Sequence, residues 1–296
     1  MSTSLVTGGA GFIGWHLAED LSQNANRVIV LDNLSRKLPH GEALNGIEIV
    51  KGDVTDAKLV RKLIARSDMV FHLAAISRVS SCIRDPGACF RVNGLGTEII
   101  ARSCVDLRRR LIFSSSREVY GTAPHLPVRE NCPLNLENPY GASKIACEKT
   151  IEAYGKCYGL SYYNLRLANV YGKRDVGRVI PKLSQACLKN KDMILYNADK
   201  ILDFVHVRDV TRALVKAAKS RENGVANIGS GTGITLRKLA QLMKDYAGSK
   251  SEVLSLRGRR GEVERFVADI SCARTKLNWE PEVKLEDGIK CLLKGF

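Results

Sequence analysis

Ten residues near the amino end, Leu5-Val6-Thr7-Gly8-Gly9-Ala10-Gly11-Phe12-Ile13-Gly14, constrain this chain more than any other stretch. They read as a short apolar strand, a glycine turn and the start of a helix. Gly9 and Gly11 let the backbone turn tightly and approach a pyrophosphate, while Gly14 lets the helix lie close to the strand. The amino end of the helix offers free N–H groups and the positive end of its dipole to phosphates. A second strand, Arg27-Val28-Ile29-Val30-Leu31, follows, and Asp32 at its end stands eighteen residues past Gly14, where an acidic side chain takes a ribose 2′-hydroxyl. A dinucleotide site is therefore expected. The Asp32 carboxylate would repel a 2′-phosphate, so NAD is favoured over NADP, and Arg36 close behind reads as a solvated loop cation.

Strand and helix patterns then alternate. The segment from Asp32 to Asn45, with Pro39 and Gly41, reads as a loop near the adenosine end. Ile47-Glu48-Ile49-Val50 is a strand, and behind it Asp53 reads either as an adenine contact or as part of a helix-capping cluster with Thr55 and Asp56. Met69 to Ala75 is a buried strand whose His72 reads as a core histidine. A helix from about Ala88 to Val105, a strand Leu111-Ile112-Phe113 running into Ser114-Ser115-Ser116, a helix from about Tyr140 to Tyr158 and a strand from Leu160 to Arg166 follow. This alternation predicts an α/β fold, a Rossmann doubly wound parallel sheet. From Leu167 the pattern loosens into shorter elements, including an amphipathic stretch from Leu236 to Met243 behind Thr235 as N-cap. A smaller, interleaved C-terminal α/β substrate lobe is expected. The division is placed at 1–167 with about 203–222 for the Rossmann domain, and 168–202 with 223–296 for the substrate lobe.

A chain of 296 residues with 45% hydrophobic content can bury the core of one large or two closely joined domains. Its nine cysteines contain no C-x-x-C pair, so neither a metal site nor a disulfide framework is expected. A strand within the first residues and no apolar run of membrane-spanning length point to the cytosol, with no membrane partner. The net charge of +15 raises nucleic acid as a partner, but aromatic content of 6% without aromatic-basic interleaving argues against it. Excess positive charge equally suits an enzyme whose substrate and cofactor both carry diphosphates.

Tyr140-Gly141-Ala142-Ser143-Lys144 places a phenol and an ammonium on one helix face. An ammonium held beside a phenol lowers its pKa and makes Tyr140 a candidate general base, and the hydroxyl of Ser116, at the end of the preceding strand, can hold the same substrate oxygen.

Together with LDNLS from Leu31, GDVTD from Gly52, FHLAA from Phe71, NGLGT from Asn93, SSSREVYG from Ser114, NPYGASK from Asn138, NVYG from Asn169, DFVHV from Asp203 and a late ADIS, these motifs resemble the extended short-chain dehydrogenase/reductase family. Within it they resemble the NAD-dependent nucleotide-sugar epimerases and dehydratases, above all the UDP-glucose 4-epimerase-like members. The resemblance implies Ser116, Tyr140 and Lys144 as the catalytic set and a cofactor site of Gly8, Gly9, Gly11, Phe12, Ile13, Gly14, Asp32, Asn33, Asp53, Val54, Leu73, Ala74, Ala75 and Asn93, shared with Tyr140 and Lys144. It implies a UDP-sugar as substrate, held by Arg78, Ser116, Arg117, Asn169, Arg178, Arg259 and Glu262. It also implies a homodimer, and a reaction in which Tyr140 takes the 4-hydroxyl proton, C4 gives hydride to NAD, the 4-ketosugar rotates and hydride returns to its other face.

Three positions depart from that pattern. Arg117-Glu118 stands where the dehydratases carry Asp-Glu; a guanidinium does not give up its proton in proteins, so Arg117 cannot act as the acid. Glu118 has two readings, a base for an elimination reaction or one half of a structural ion pair. Leu202 replaces a diphosphate-binding arginine, a charge that Arg178, Lys200 or Arg259 would then have to supply. Arg78 falls where the sugar is expected, and either selects it or belongs to a loop.

Overall fold

A computed structural model describes residues 2–24, 27–36 and 46–294. The chain opens with β1 (Thr3–Thr7), α1 (Phe12–Gln23), β2 (Arg27–Asp32), β3 (Ile47–Lys51), α2 (Ala57–Ala65) and β4 (Met69–His72). It continues through α3 (Val79–Arg84), α4 (Pro86–Phe90), α5 (Gly96–Asp106), β5 (Arg110–Ser116), α6 (Pro139–Tyr158) and β6 (Tyr162–Leu167). Shorter elements follow: β7 (Asn169–Tyr171), α7 (Val179–Leu188), β8 (Met193–Tyr196), β9 (Ile201–His206), α8 (Val207–Lys219) and β10 (Gly224–Ile228). The chain ends with β11 (Gly233–Thr235), α9 (Leu236–Ala247), β12 (Val253–Leu256), β13 (Arg265–Phe266), α10 (Ser271–Leu277) and α11 (Leu285–Lys294).

Seven strands form one sheet in the order β10-β6-β5-β4-β1-β2-β3, every neighbouring pair parallel. This is the doubly wound sheet expected from the alternation. Successive side chains enter opposite faces. Val6, Val28, Val30, Phe71 and Ile112 join the core under α1 and α8, whereas Leu5, Ile29, Leu31, Val70, Leu111 and Phe113 join the core under α2, α5 and α6. A third core, built from α7, α9 and α11 around Leu183, Met193, Leu239 and Ile289, carries the small lobe.

Strand pairing differs from the expected lobe boundaries. Phe204 and Val205 of β9 pair with β7, which puts β9 in the small sheet β11-β9-β13, while β10 closes the edge of the large sheet against β6. The division after 202 thus cuts through β9, which belongs whole to the small sheet, and the division after 222 leaves β10 on the side opposite its partner β6; both are short strands that only their distant partners tell apart. Asp203 joins the two regions, its buried carboxylate accepting from the N–H groups of Ser230 (2.7 Å), Gly231 (3.1 Å) and Ala268 (3.1 Å).

Local expectations fare unevenly. Thr235 caps α9 through the Lys238 N–H, and Asp56 rather than Thr55 caps α2, while Thr55 donates to Asp53. Asn33 to Arg36 is loop, and Pro39 and Gly41 lie outside the described residues. The helix expected from Ala88 to Val105 is α4, a wider π-helical turn over Arg91–Leu95 and then α5. At that turn the Asn93 carbonyl accepts from the Thr97 hydroxyl (2.6 Å) and the Cys147 thiol (3.2 Å).

His72 is the core histidine expected. It is fully buried, with Nδ1 against the Thr7 hydroxyl (2.7 Å) and Nε2 against that of Thr97 (3.0 Å). Burial, then the nearby Lys144 charge, lowers its pKa to about 3. The unfolded chain therefore binds a proton that the folded one refuses, and stability contributed by this site is lost as pH falls from about 6.5 toward 3. Between pH 6 and 5 the free energy of unfolding should fall by about 1 kcal/mol more in the wild type than in His72→Gln. Urea titrations at the two pH values would read this, and equal slopes would refute it.

Candidate active site

A cavity of about 680 Å³ lies along the carboxyl ends of the large sheet's strands, where open parallel sheets bind ligands. Its first wall is the turn after β1. Gly8 adopts a left-handed φ of +69°, and a Cβ on Gly14 would fall 2.3 Å from the Gly8 carbonyl oxygen, so α1 can start against the turn only without one. The first α-helical bond runs from Trp15 N–H to the Gly11 carbonyl (2.9 Å), which leaves the N–H groups of Phe12, Ile13 and Gly14 ahead of it. No acidic side chain occupies the first turn of α1. This cradle fits a pyrophosphate.

Asp32 at the end of β2 steadies the turn by accepting from Ala10 N–H (3.1 Å) and from Leu34 N–H (2.8 Å), and the carboxylate retains lone pairs for a ribose hydroxyl. Asn33, Asp53, Val54, Leu73, Ala74 and Ala75 extend the same wall. Asp53 accepts from Thr55 and from Asn33 Nδ2 (3.2 Å). These features suit NAD: a glycine cradle for the phosphates and a carboxylate at the ribose.

Two expected cofactor residues have their side-chain positions filled by the protein itself. A Cβ on Gly9 would meet the Val30 side chain at 2.7 Å, so only glycine lets the turn pack this closely onto β2. Asn93 is buried and fully committed: Oδ1 accepts from Ile76 N–H (2.9 Å), and Nδ2 donates to the Ile76 carbonyl (3.2 Å) and the Ser143 hydroxyl (2.9 Å). It holds the loop after β4 to α6.

Ser116 ends β5 and accepts from the Glu118 N–H (3.2 Å), starting a tight turn over Arg117–Tyr120. Asn138 caps α6 by accepting from Gly141 N–H (2.9 Å), with Pro139 in the first turn. A Cβ on Gly141 would fall 2.6 Å from the Glu118 carbonyl oxygen, so glycine is what lets the start of α6 reach this turn. Tyr140 and Lys144 thereby line the same cavity as Ser116.

The electrostatics differ from expectation. Burial, joined by the charge of Glu118, raises the Tyr140 pKa, opposed by a hydrogen bond with Ser116 and, more weakly, by the charge of Arg178. The Lys144 Nζ donates to the Ser114 carbonyl (2.8 Å) and lies 4.5 Å from the centre of the Phe113 ring. Burial lowers the pKa of this ammonium. The two side chains share a helix face, yet the lysine turns toward the end of β5.

Glu118 is the ion-paired residue. Its Oε1 meets Arg117 Nη2 at 3.0 Å and its Oε2 accepts from Asn138 Nδ2 at 2.8 Å. Arg117 also donates from Nε to Asn169 Oδ1 (3.3 Å), tying β5 to β7. Arg78, Arg178, Arg259 and Glu262 all reach the cavity. So does Lys200, two residues before Leu202 and just ahead of β9, with its Nζ 2.5 Å from Glu262 Oε2. Sequence reading missed Tyr196 and Lys182. Tyr196 carries the Arg259 guanidinium 3.6 Å above its ring, and no local motif announces that pairing.

A model of the NAD dependent epimerase/dehydratase family matches residues 4–229. A putative UDP-glucose 4-epimerase of Methanocaldococcus jannaschii is 36% identical over 300 residues, spanning 97% of this chain and 95% of that one. The crystal structure of a Thermotoga maritima UDP-glucose 4-epimerase with UDP-glucose superposes with a TM-score of 0.94 at 33% identity, covering 99% of this chain and 97% of that one. A Thermus thermophilus UDP-glucose 4-epimerase in complex with NAD gives a TM-score of 0.91 at 32% identity, covering 99% and 98%.

Replacing Tyr140 by Phe removes one hydroxyl from this cavity and none of the cradle. Turnover should fall by about 10²–10⁴-fold while bound NAD, measured in the protein released by denaturation, stays at the wild-type ratio. Loss of NAD together with turnover would assign Tyr140 to cofactor retention.

Proposed function

Because the chain belongs to the NAD dependent epimerase/dehydratase family, we propose that it inverts C4 of a nucleotide-linked hexose of the UDP-glucose and UDP-galactose type. It is an NAD-dependent enzyme. The observation that carries this reading is the meeting of Ser116, Tyr140 and Lys144 on one cavity with the glycine turn and Asp32. NAD, when bound, supplies a reversible hydride acceptor. Gly11, Phe12, Ile13 and Gly14 would hold its pyrophosphate and Asp32 its adenosine ribose.

The chain's own part is proton management at one oxygen. Tyr140 takes the proton of the sugar 4-hydroxyl and returns it, and the Ser116 hydroxyl holds the same oxygen. A phenol whose pKa is raised by burial needs positive charge nearby to act as a base, and Arg178 and Arg36 both lie within electrostatic range of it. Dehydration is the weaker alternative, because Arg117 stands where its acid is required and both oxygens of Glu118 are engaged. A non-catalytic NAD-binding module has no use for the three-residue set.

A homodimer fits the exposed Ile83, Phe90 and Leu95, which fall close together along α3 to the start of α5. A cytosolic setting fits nine unpaired cysteines, seven of them fully or partly removed from solvent. No helix among the described residues is long and apolar enough to cross a membrane.

Incubation with UDP-glucose in heavy water, without added cofactor and followed by proton NMR, tests the reading. The expected product is the 4-epimer without deuterium in the sugar. Deuterium at C5, or an unsaturated or keto product, would instead establish elimination through Glu118.

A further inference from the structure

Three arginines gather on the cavity wall near Tyr140. Arg36, from the loop after β2, donates to the Ser77 hydroxyl at 3.4 Å. Arg78, from the loop after β4, donates to the carbonyls of Gly177 (2.9 Å) and Val176. Arg178, just before α7, pairs with Asp175 (2.7 Å) and lies 5.5 Å from the centre of the Phe12 ring. Burial, and then repulsion from the other members of the group, lowers the basicity of Arg36 and Arg78. Arg36 and Arg178 are both within electrostatic range of the Tyr140 phenol.

The carboxylates facing this group do not balance it. Asp175 pairs with Arg178 and also attracts Arg78, and Asp32 attracts Arg36 while accepting from the N–H groups of Ala10 and Leu34, so two carboxylates face three guanidinium groups. Arg36 and Arg78 form no ion pair among the described residues. The diphosphates already have receptors elsewhere on the wall: the amino end of α1 for the cofactor, and Lys200 with the Tyr196-stacked Arg259 for the sugar nucleotide. Guanidinium in surplus beside Tyr140 favours an anion over neutral hydroxyls, and its planar fork matches a carboxylate.

Resting on the C4-epimerase reading, we infer that the hexose taken here carries a carboxylate, as a hexuronic acid does, and that Arg78 and Arg178 receive it beside Tyr140. The carboxylate is bound and not transformed, so these arginines act on substrate choice.

The test is kcat/KM of the full-length holoenzyme for UDP-glucuronic acid and for UDP-glucose. A preference of about tenfold or more for the acid is expected, from charge-assisted hydrogen bonds that the neutral sugar cannot make. Arg78→Gln and Arg178→Lys should each shrink that ratio, chiefly by raising KM for the acid. Epimerisation of UDP-glucose with no preference for the acid would overturn the inference and leave the C4 reading standing. An undiminished preference in both variants would overturn the assignment to these arginines. Failure to epimerise either donor would overturn both.

Discussion

The active site depends on one buried ion pair. Arg166 on β6 directs Nε to both carboxylate oxygens of Glu148 (3.0 and 3.1 Å) and Nη2 to Oε2 (2.7 Å), with Glu148 projecting from α6 and neither residue more than 4% exposed. The Ser115 hydroxyl donates to the same carboxylate. Arg166 Nη1 continues the network to the Tyr120 hydroxyl (2.8 Å), which in turn donates to Asn227 Oδ1 on β10 (2.7 Å). Leaving either member of such a pair alone in the interior costs about 3–5 kcal/mol. The pair therefore sets how α6 lies against the ends of β5 and β6. Ser115 is the neighbour of Ser116, and Glu148 stands one turn beyond Lys144, so the catalytic side chains inherit their separation from a contact that touches no ligand.

A second constraint acts at the amino end of the same helix. Gly141 lets α6 approach the Arg117–Tyr120 turn, and Asn138 links that turn to the carbonyl of Gly261 (2.8 Å) in the small lobe. Tyr140 is thus held between an anchored helix end and the end of a strand. A phenol so enclosed resists ionisation, which makes the charge delivered by neighbouring loops part of the catalytic apparatus.

What could be seen in the sequence follows the locality of each feature. The glycine turn, Asp32, and the pairing of Ser116 with Tyr140 and Lys144 were legible because each is a short motif at the end of a strand, and parallel strands bring those ends to one edge. Asn93 shows the opposite case. A motif shows that a residue belongs to a neighbourhood but not which way it faces, and this side chain turns to Ile76 and Ser143 rather than the cavity. Lys144 is similar: helical spacing placed it beside Tyr140, while the free carbonyl of Ser114 decided where its ammonium went. The places of β9 and β10, the stacking of Arg259 on Tyr196 and the gathering of Arg36, Arg78 and Arg178 depend on contacts between segments far apart in the chain, for which single-sequence patterns carry no signal.

Asp203 has a consequence for how such a molecule can change. The chain passes from the large sheet to the small one after β6, returns for α8 and β10, leaves again for β11, and returns once more for α10 before ending in α11. Asp203 fastens the crossing near β9 to the segments after β10 and β13. With so many passages, no single cut separates a cofactor half from a substrate half, and the small lobe cannot be grafted onto another scaffold as a cassette. New preferences in a protein of this kind must arise by replacing side chains inside an inherited cavity, residue by residue.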